Sequence, residues 1–343
     1  MNTPPLPGSR GPGLLSVLLA WFVAILAAAG VAFAWLWPDF GDSGRLIEVL
    51  NWLAFCGRTF GYHISLGLAL VVVLMMLRRL WRPALVVCVV ALWCVLPLLW
   101  SLRPRGEAPA VGAPMLSVYS VNAQVGRVDP ARLLAEIERV DADIVVIQEH
   151  NSRVRTIVPG LRERYPHFVD AWREDAFGMA ILSKHAFIGT PQPYPDLGVP
   201  LTEPQIRVVV EIDGREVVVQ GVHTLPPVSF SYLRSQRQLI RALAAWAEEE
   251  RRPLIIAGDF NCTPESMGMG WMHDAGLKDA WTHRNAGLGA TWPVDAGLFS
   301  LMGVKIDHVM LGNGLVATHA ELGDATGSDH RAIFARVAAE PSQ

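Results

Sequence analysis

Two hydrophobic patterns divide the chain. Through residue 103 the apolar positions run almost unbroken, whereas from residue 115 onward they come in short bursts between polar segments. Gly11 to Pro38 contains no charged side chain, and Leu14 to Trp37 is a predominantly apolar run of 24 residues, against the roughly 20 a helix needs to cross a bilayer core. Thr59 to Leu77, between Arg58 and Arg78, and Pro83 to Leu102, between Arg82 and Arg103, are each long enough to cross as well. The pattern predicts an N-terminal segment over 1–13 and an anchor over 14–103, with three transmembrane helices at about 14–37, 59–77 and 83–102. The first run exceeds the roughly 7 to 15 apolar residues of a cleavable signal sequence, so it reads as a retained span. Trp35, Trp37, Trp81 and Trp100 fall near the span ends, where an indole keeps its ring in the interface and its N–H wet. RLIEVLNWLAF (45–55) has apolar residues at helical spacing and predicts a connector or surface-lying helix.

Basic residues set the orientation, because arginine and lysine are retained on the cytoplasmic side. The cluster Arg78, Arg79 and Arg82 puts the loop between the second and third spans inside. Three spans then place 1–13 in the cytoplasm and everything after Arg103 outside, with Arg103 and Arg105 a smaller opposing signal. The expectation is an integral protein of a bacterial plasma membrane whose polar part faces the periplasm or exterior.

Residues 104–114 (PRGEAPAVGAP) have the composition of a linker. Beyond it, over 115–338, short β-rich runs alternate with helical stretches. Strands are predicted at 116–124, 144–148, 178–183, 206–212, 216–222, 253–258, 304–311 and 331–337, with a hairpin turn at IDGRE. An amphipathic helix is predicted over 130–140, with Pro130 suited to its first turn. A longer one runs from about Phe230 to Arg251, with Leu233, Leu239, Leu243 and Trp246 on its buried face. This is an α/β or α+β domain large enough for a substantial core.

Charge follows the same division. Through Pro104 there are seven arginines against three acids, a net of +4, and the rest carries 22 basic against 29 acidic side chains, a net of −7. Cys262 is the sole cysteine of the polar part, so no disulfide can form within it, and no CxxC spacing suggests structural zinc.

Polar groups suited to metal or phosphate follow the apolar runs: Asn122 after SVYSV, Glu149 after IVVIQ, His223 after VVVQGV, and Asp259 and Asn261 after LIIAG. Asp307 lies within KIDHVM, and Ser328, Asp329 and His330 precede the last strand. Strand ends on one sheet edge can converge on a single cleft. Taken singly, each is as well explained as a turn former, a helix cap or a structural histidine.

In order, VNAQ (121–124), DIVVIQEH (143–150), GMAILSK (178–184), GVHT (221–224), GDFN (258–261), KIDHV (305–309) and GSDHR (327–331) resemble the endonuclease/exonuclease/phosphatase family from Met115 to Val337. Val121 replaces the Trp that often precedes the family's first Asn, which leaves Gln124 a doubtful contributor. The resemblance implies a four-layer α/β/β/α sandwich of DNase-I-like type, following the three transmembrane helices. It also implies divalent-metal-dependent phosphoester hydrolysis, usually with Mg2+ and with Mn2+ as a possible substitute. On this resemblance Glu149, Asn122 and Asp329 hold the metal, Asp259 is the base toward water, and Asn261 holds the phosphate or that water. His330 donates to a phosphoryl oxygen, Asp307 fixes its tautomer, and His223 assists phosphate or the leaving group. Trp292 and Arg234 are weaker substrate-contact candidates, while His308 points to the face opposite Asp307.

Substrate expectations divide. Family frequency favours a nuclease-like phosphodiesterase, although the −7 charge suits long duplex DNA poorly. The alternative is a phospholipid or inositol-phosphate phosphatase, or a sphingomyelinase-like enzyme. A reading of another class is an inactive membrane-attached binding module, against which the complete polar set argues. No protein partner is implied.

Overall fold

The structure is a computed structural model describing residues 12–41, 44–103, 115–294 and 297–339. The expectations for the 104–114 linker and for nearly all of 1–13 lie outside the described residues. The chain divides into two compact units, Met1–Trp100 and Ser101–Gln343.

The first unit holds helices α1 (Leu14–Leu36), α2 (Arg45–Thr59), α3 (Gly61–Leu77) and α4 (Trp81–Ser101). Of these, α1 and α4 are each long and apolar enough to cross a membrane. The apolar run from residue 59 becomes a helix of only 17 residues, since the backbone breaks at Phe60. It meets the length criterion only together with α2, from which it is bent by 72°. Three spans therefore require that bent pair to count as one. The helix expected at 45–55 is α2, and its Arg58 donates to the carbonyls of Ala34, Trp35 and Trp37. Those are among the last carbonyls of α1, which a helix end leaves without intrahelical partners.

In the second unit, in chain order, are β1 (Met115–Asn122), α5 (Pro130–Val140), β2 (Ile144–Gln148), α6 (Ser152–Arg155), α7 (Val158–Leu161), β3 (His167–Ala171) and β4 (Met179–Ser183). There follow β5 (Arg207–Ile212), β6 (Arg215–His223), α8 (Phe230–Glu249), β7 (Leu254–Asp259), α9 (Met267–Asp274), β8 (Lys278–Asp279), α10 (Ala280–Arg284), β9 (Asp307–Gly312), β10 (Leu315–Leu322) and β11 (Ile333–Ala339). The strands form a six-stranded sheet, β10-β11-β1-β2-β4-β3, and a five-stranded sheet, β5-β6-β7-β9-β8.

Strand alternation builds the layers. Val118, Ile144, Val146, Ile181, Val219, Ile255, Val309 and Leu311 share one core cluster between the sheets. Their neighbours Tyr119, Val121, Val145 and Ile147 face outward, onto Leu133 and Ile137 of α5 and Leu161 of α7. On the other side α8 buries Leu233, Ile240, Leu243 and Ala247, and its Gln236 donates to Phe260 O and Asn261 O just beyond β7. The result is the α/β/β/α sandwich the resemblance implied.

Local chemistry supports the helix boundaries. Asp129 caps α5 by accepting from Ala131 N and Arg132 N, and Ser229 caps α8 by accepting from Tyr232 N. The buried stripe of α8 runs through residues 233, 237, 240, 244 and 247, following the helical period. Leu239 and Trp246, expected on that face, are only half-buried at its margin.

Where the sheets approach, Gly221 of β6 faces Met179 and Val146, and a Cβ there would lie 2.9 Å from Met179 Sδ and 3.1 Å from Val146 Cγ1. Gly221→Val is therefore expected to overpack the inter-sheet core and destabilise the domain by about 1–3 kcal/mol. Denaturant melts with an unchanged m-value would show it, and a variant as stable as the parent would contradict this packing.

Candidate active site

The alternation that fills the inter-sheet core also aims its last polar residues. Asn122 continues the inward parity of Val118, His223 that of Val219 and Gly221, Asp259 that of Ile255 and Ala257, and Asp307 that of Val309 and Leu311. Their registers pair His223 with Asp259 and Asp259 with Asp307, so three sheet residues end side by side. Gly258 permits this close approach, because a Cβ there would run into the Val222 carbonyl.

Residues just past the strands complete the cluster. Glu149 and Asn261 take left-handed backbone conformations, φ 56° and 49°, which turn the chain sharply at the sheet edge. Asn122 Nδ2 donates to Glu149 Oε1 (3.2 Å) and Asp259 Oδ2 (3.0 Å), while Val125 N donates to Glu149 Oε2 (2.6 Å). Asn261 N donates to Asp259 Oδ1 (2.8 Å), and its side chain donates to Thr224 O (2.9 Å). Asp307 Oδ2 lies 2.9 Å from His330 Nδ1, and His330 Nε2 lies 3.9 Å from both Asp259 Oδ2 and Asp329 Oδ1. His223 Nε2 is 3.7 Å from Asp259 Oδ2.

All eight polar residues expected at the site thus meet in one place. Trp292 joins them by donating from Nε1 to Asp329 Oδ2 (3.0 Å). Arg234 does not line the cleft; it is half-buried on α8. Gln124, doubtful from sequence, lines the cleft and accepts from Asp329 N through Oε1 (2.9 Å). Phe177, Ala176 and Pro226 form walls that no sequence pattern indicated. Gln205 grips the His223 backbone from both sides, donating to its carbonyl and accepting from its N–H. His308 is buried on the opposite face, as its parity requires.

The cleft, about 190 Å³, has Glu149, Asp259 and Asp329 in its lining and no lysine or arginine among the described lining residues. Burial raises the Glu149 carboxyl above its ordinary range, partly countered by the Val125 and Asn122 donors. Burial and then the Asp307 charge raise Asp259. Burial works against the charged His330, but the Asp307, Asp259 and Asp329 carboxylates prevail and push it up to about 10. His223, desolvated and close to the His330 charge, is held down at about 4 and is neutral.

Carboxylates crowded in a low-dielectric cleft need a cation, and Asp329 Oδ1 is buried without a hydrogen-bond partner. The donors are hard oxygens, which suits magnesium or manganese. Asp259, Asp307 and His330 also offer atoms within 4.8 Å of one another. That trio is already engaged internally through the Asp307–His330 contact, so the fit for a metal is better on the Glu149 side.

A profile of the Endonuclease/Exonuclease/phosphatase family matches residues 119–330. No curated protein matches the chain. Among solved structures, an endonuclease/exonuclease/phosphatase from Beutenbergia cavernae DSM 12333 is 19% identical with a TM-score of 0.54, covering 66% of this chain and 72% of that one. D. rerio TDP2 complexed with single strand DNA product is 18% identical with a TM-score of 0.53, covering 65% and 98%. The 3'-5' exonuclease NExo from Neisseria Meningitidis is 16% identical with a TM-score of 0.50, covering 64% and 98%. At these identities the likeness is one of fold.

A proton on His330 that depends on Asp307 has a measurable signature. The folded value lies above the ordinary histidine range, so its stabilisation is complete below about pH 6.5 and is lost as pH rises through about 10. In metal-free protein, Asp307→Asn is expected to lower the His330 midpoint by about one unit or more, read by NMR titration of the imidazole. An unchanged midpoint would contradict the pairing.

Proposed function

The chain belongs to the endonuclease/exonuclease/phosphatase family, and from that premise we propose that it is a membrane-anchored enzyme hydrolysing phosphodiester bonds in a nuclease-like manner with magnesium. As a family member it is a metal-dependent hydrolase of phosphoesters. The observation that carries the reading is the convergence of Asn122, Glu149, His223, Asp259, Asn261, Asp307, Asp329 and His330 on one cleft at the inter-sheet edge.

Glu149, Asn122 and Asp329 would hold the magnesium ion, which when bound supplies positive charge against the non-bridging phosphate oxygens. Asp259, raised by burial, accepts the proton of the attacking water. Asn261, whose backbone braces Asp259, orients that water or the phosphate from the cleft wall. His330 is kept protonated by Asp307 and donates from Nε2 to a phosphoryl oxygen, compensating charge as it develops. Neutral His223 stands beside Asp259 for the leaving oxygen. Trp292 buttresses Asp329 and borders the substrate.

Two of the similar structures carry nucleic-acid activities in their descriptions, the single strand DNA product of D. rerio TDP2 and the exonuclease NExo. A second reading, a lipid or inositol phosphoester, is favoured by one feature: the cleft walls are Phe177, Pro226, Ala176 and Trp292, without a lysine or arginine among the described lining residues. Backbone-reading nucleases gain most of their nonspecific affinity from such basic groups.

Detergent-solubilised full-length protein assayed with magnesium on single-stranded DNA, plasmid, bis-p-nitrophenyl phosphate, phosphoinositides and sphingomyelin separates the two. Asp259→Asn is expected to lower kcat by about 10²- to 10⁴-fold, and Glu149→Gln to raise the magnesium concentration for half-maximal activity at least about tenfold. Turnover unchanged in both variants would overturn the assignment.

For the membrane part we propose that the catalytic domain lies outside the cytoplasm, as the Arg78, Arg79 and Arg82 cluster requires if α2 and α3 form one span. A periplasmic-active reporter fused after Gln343 is expected to be active. A fusion active only in the cytoplasm would contradict this orientation.

A further inference from the structure

Next to the cleft lies a buried charge cluster that the proposed hydrolysis leaves unused: Lys305, Asp279 and His308, each at most 2% exposed. The Lys305 ammonium donates to Asp279 Oδ2 (2.8 Å) and to the main-chain oxygen of Asp307 (2.8 Å), and it lies 2.7 Å from His308 Nδ1. His308 Nε2 is 2.9 Å from Cys262 O, which can only accept, so Nε2 carries a ring proton, and Nδ1 lies 2.8 Å from Asp279 Oδ2 as well as beside Lys305. Asp279 spends its other oxygen capping α10, accepting from Thr282 N (2.8 Å). Burial acts to raise the Asp279 carboxyl, and Lys305 and His308 overcome it and hold the group well below the carboxylate range.

The cluster reaches both catalytic loops. The chain around Asp307 is held by side chains: Ile306 N and Asp307 N both donate to Thr291 Oγ1, and Asp307 O accepts from Lys305. On the other arm, His308 holds the carbonyl that follows the left-handed turn at Asn261. A buried ion pair is a weak source of net stability compared with an apolar substitute, so its presence calls for another account.

We propose that Lys305, clamped by Asp279 and His308, is a positioning residue for the hydrolysis: it fixes the Asp307 main chain and so the carboxylate that orients His330. This rests on the reading of Asp307 and His330 as catalytic. The double variant Asp279→Asn/Lys305→Met separates positioning from folding. It removes both charges together, keeps the Oδ1 cap on α10 and sets an amide beside His308 Nδ1; the Lys305 contacts with Asp279 and His308 go as a unit, and the Asp307 carbonyl is the group left without its donor.

In full-length protein the double variant is expected to melt close to the parent, with kcat about 10- to 100-fold lower and KM unchanged. The downfield NMR resonance of the His330 Nδ1 proton should shift or broaden. Parental kcat and an unmoved resonance in a stable double variant would overturn the proposal. Should the double variant melt early, the single variants decide. Asp279→Asn retains the Lys305 bond to Asp307 and keeps the resonance, while Lys305→Met loses it. Equal loss in both, in step with their melting temperatures, would overturn the positioning role. A parent enzyme without phosphodiester turnover would refute the proposed function instead, and the resonance would still decide this one.

Discussion

Everything at the cleft depends on the face-to-face packing of two sheets. The space between them is filled mainly by apolar side chains, and strands satisfy this by alternating inward and outward residues. The same alternation, carried to the strand ends, delivers Asn122, His223, Asp259 and Asp307 to the rim. Strand register at the rim is thereby tied to register in the core. A one-residue slip would remove these polar side chains from the rim and bring the neighbouring residues of each strand there instead.

The rim is also where electrostatics turns unfavourable in the isolated chain. Glu149 and Asp259 are both raised by burial, while His330 is the cationic partner that the Asp307 carboxylate sustains. Neighbouring donors relieve part of the cost, through the Val125 and Asn261 N–H groups and the Asn122 amide. What is left is negative charge on the Glu149 side, the arrangement expected of a protein that keeps a cation there.

Much of this was legible before the fold was known, for an identifiable reason. Buried strands read as continuous β-branched runs, and polar residues terminating them stand out; β2, β6 and β7 are of this kind. The strands that escaped, β3, β8 and β10, are all sheet edges, which pair on one side only and carry a weaker apolar pattern; β3 is half-buried throughout. The span expected at 59–77 is longer than the helix that forms there, because its length is read between Arg58 and Arg78 and the backbone breaks at Phe60 inside that interval. Phe177, Pro226 and Gln205 entered the site through loops whose path no periodicity encodes, and Arg234 was singled out for its charge alone, without a geometry to place it at the cleft.

Ser328 Oγ donates to the Asn122 carbonyl across 206 residues of sequence, and β1, the strand bearing Asn122, lies between β2 and β11 in its sheet. A chain emerging from the ribosome therefore holds β1 open on one flank until its final strand arrives. Closure of the rim is therefore a late event in such a chain, and a product truncated before residue 328 carries the Asp259 carboxylate without His330 beside it.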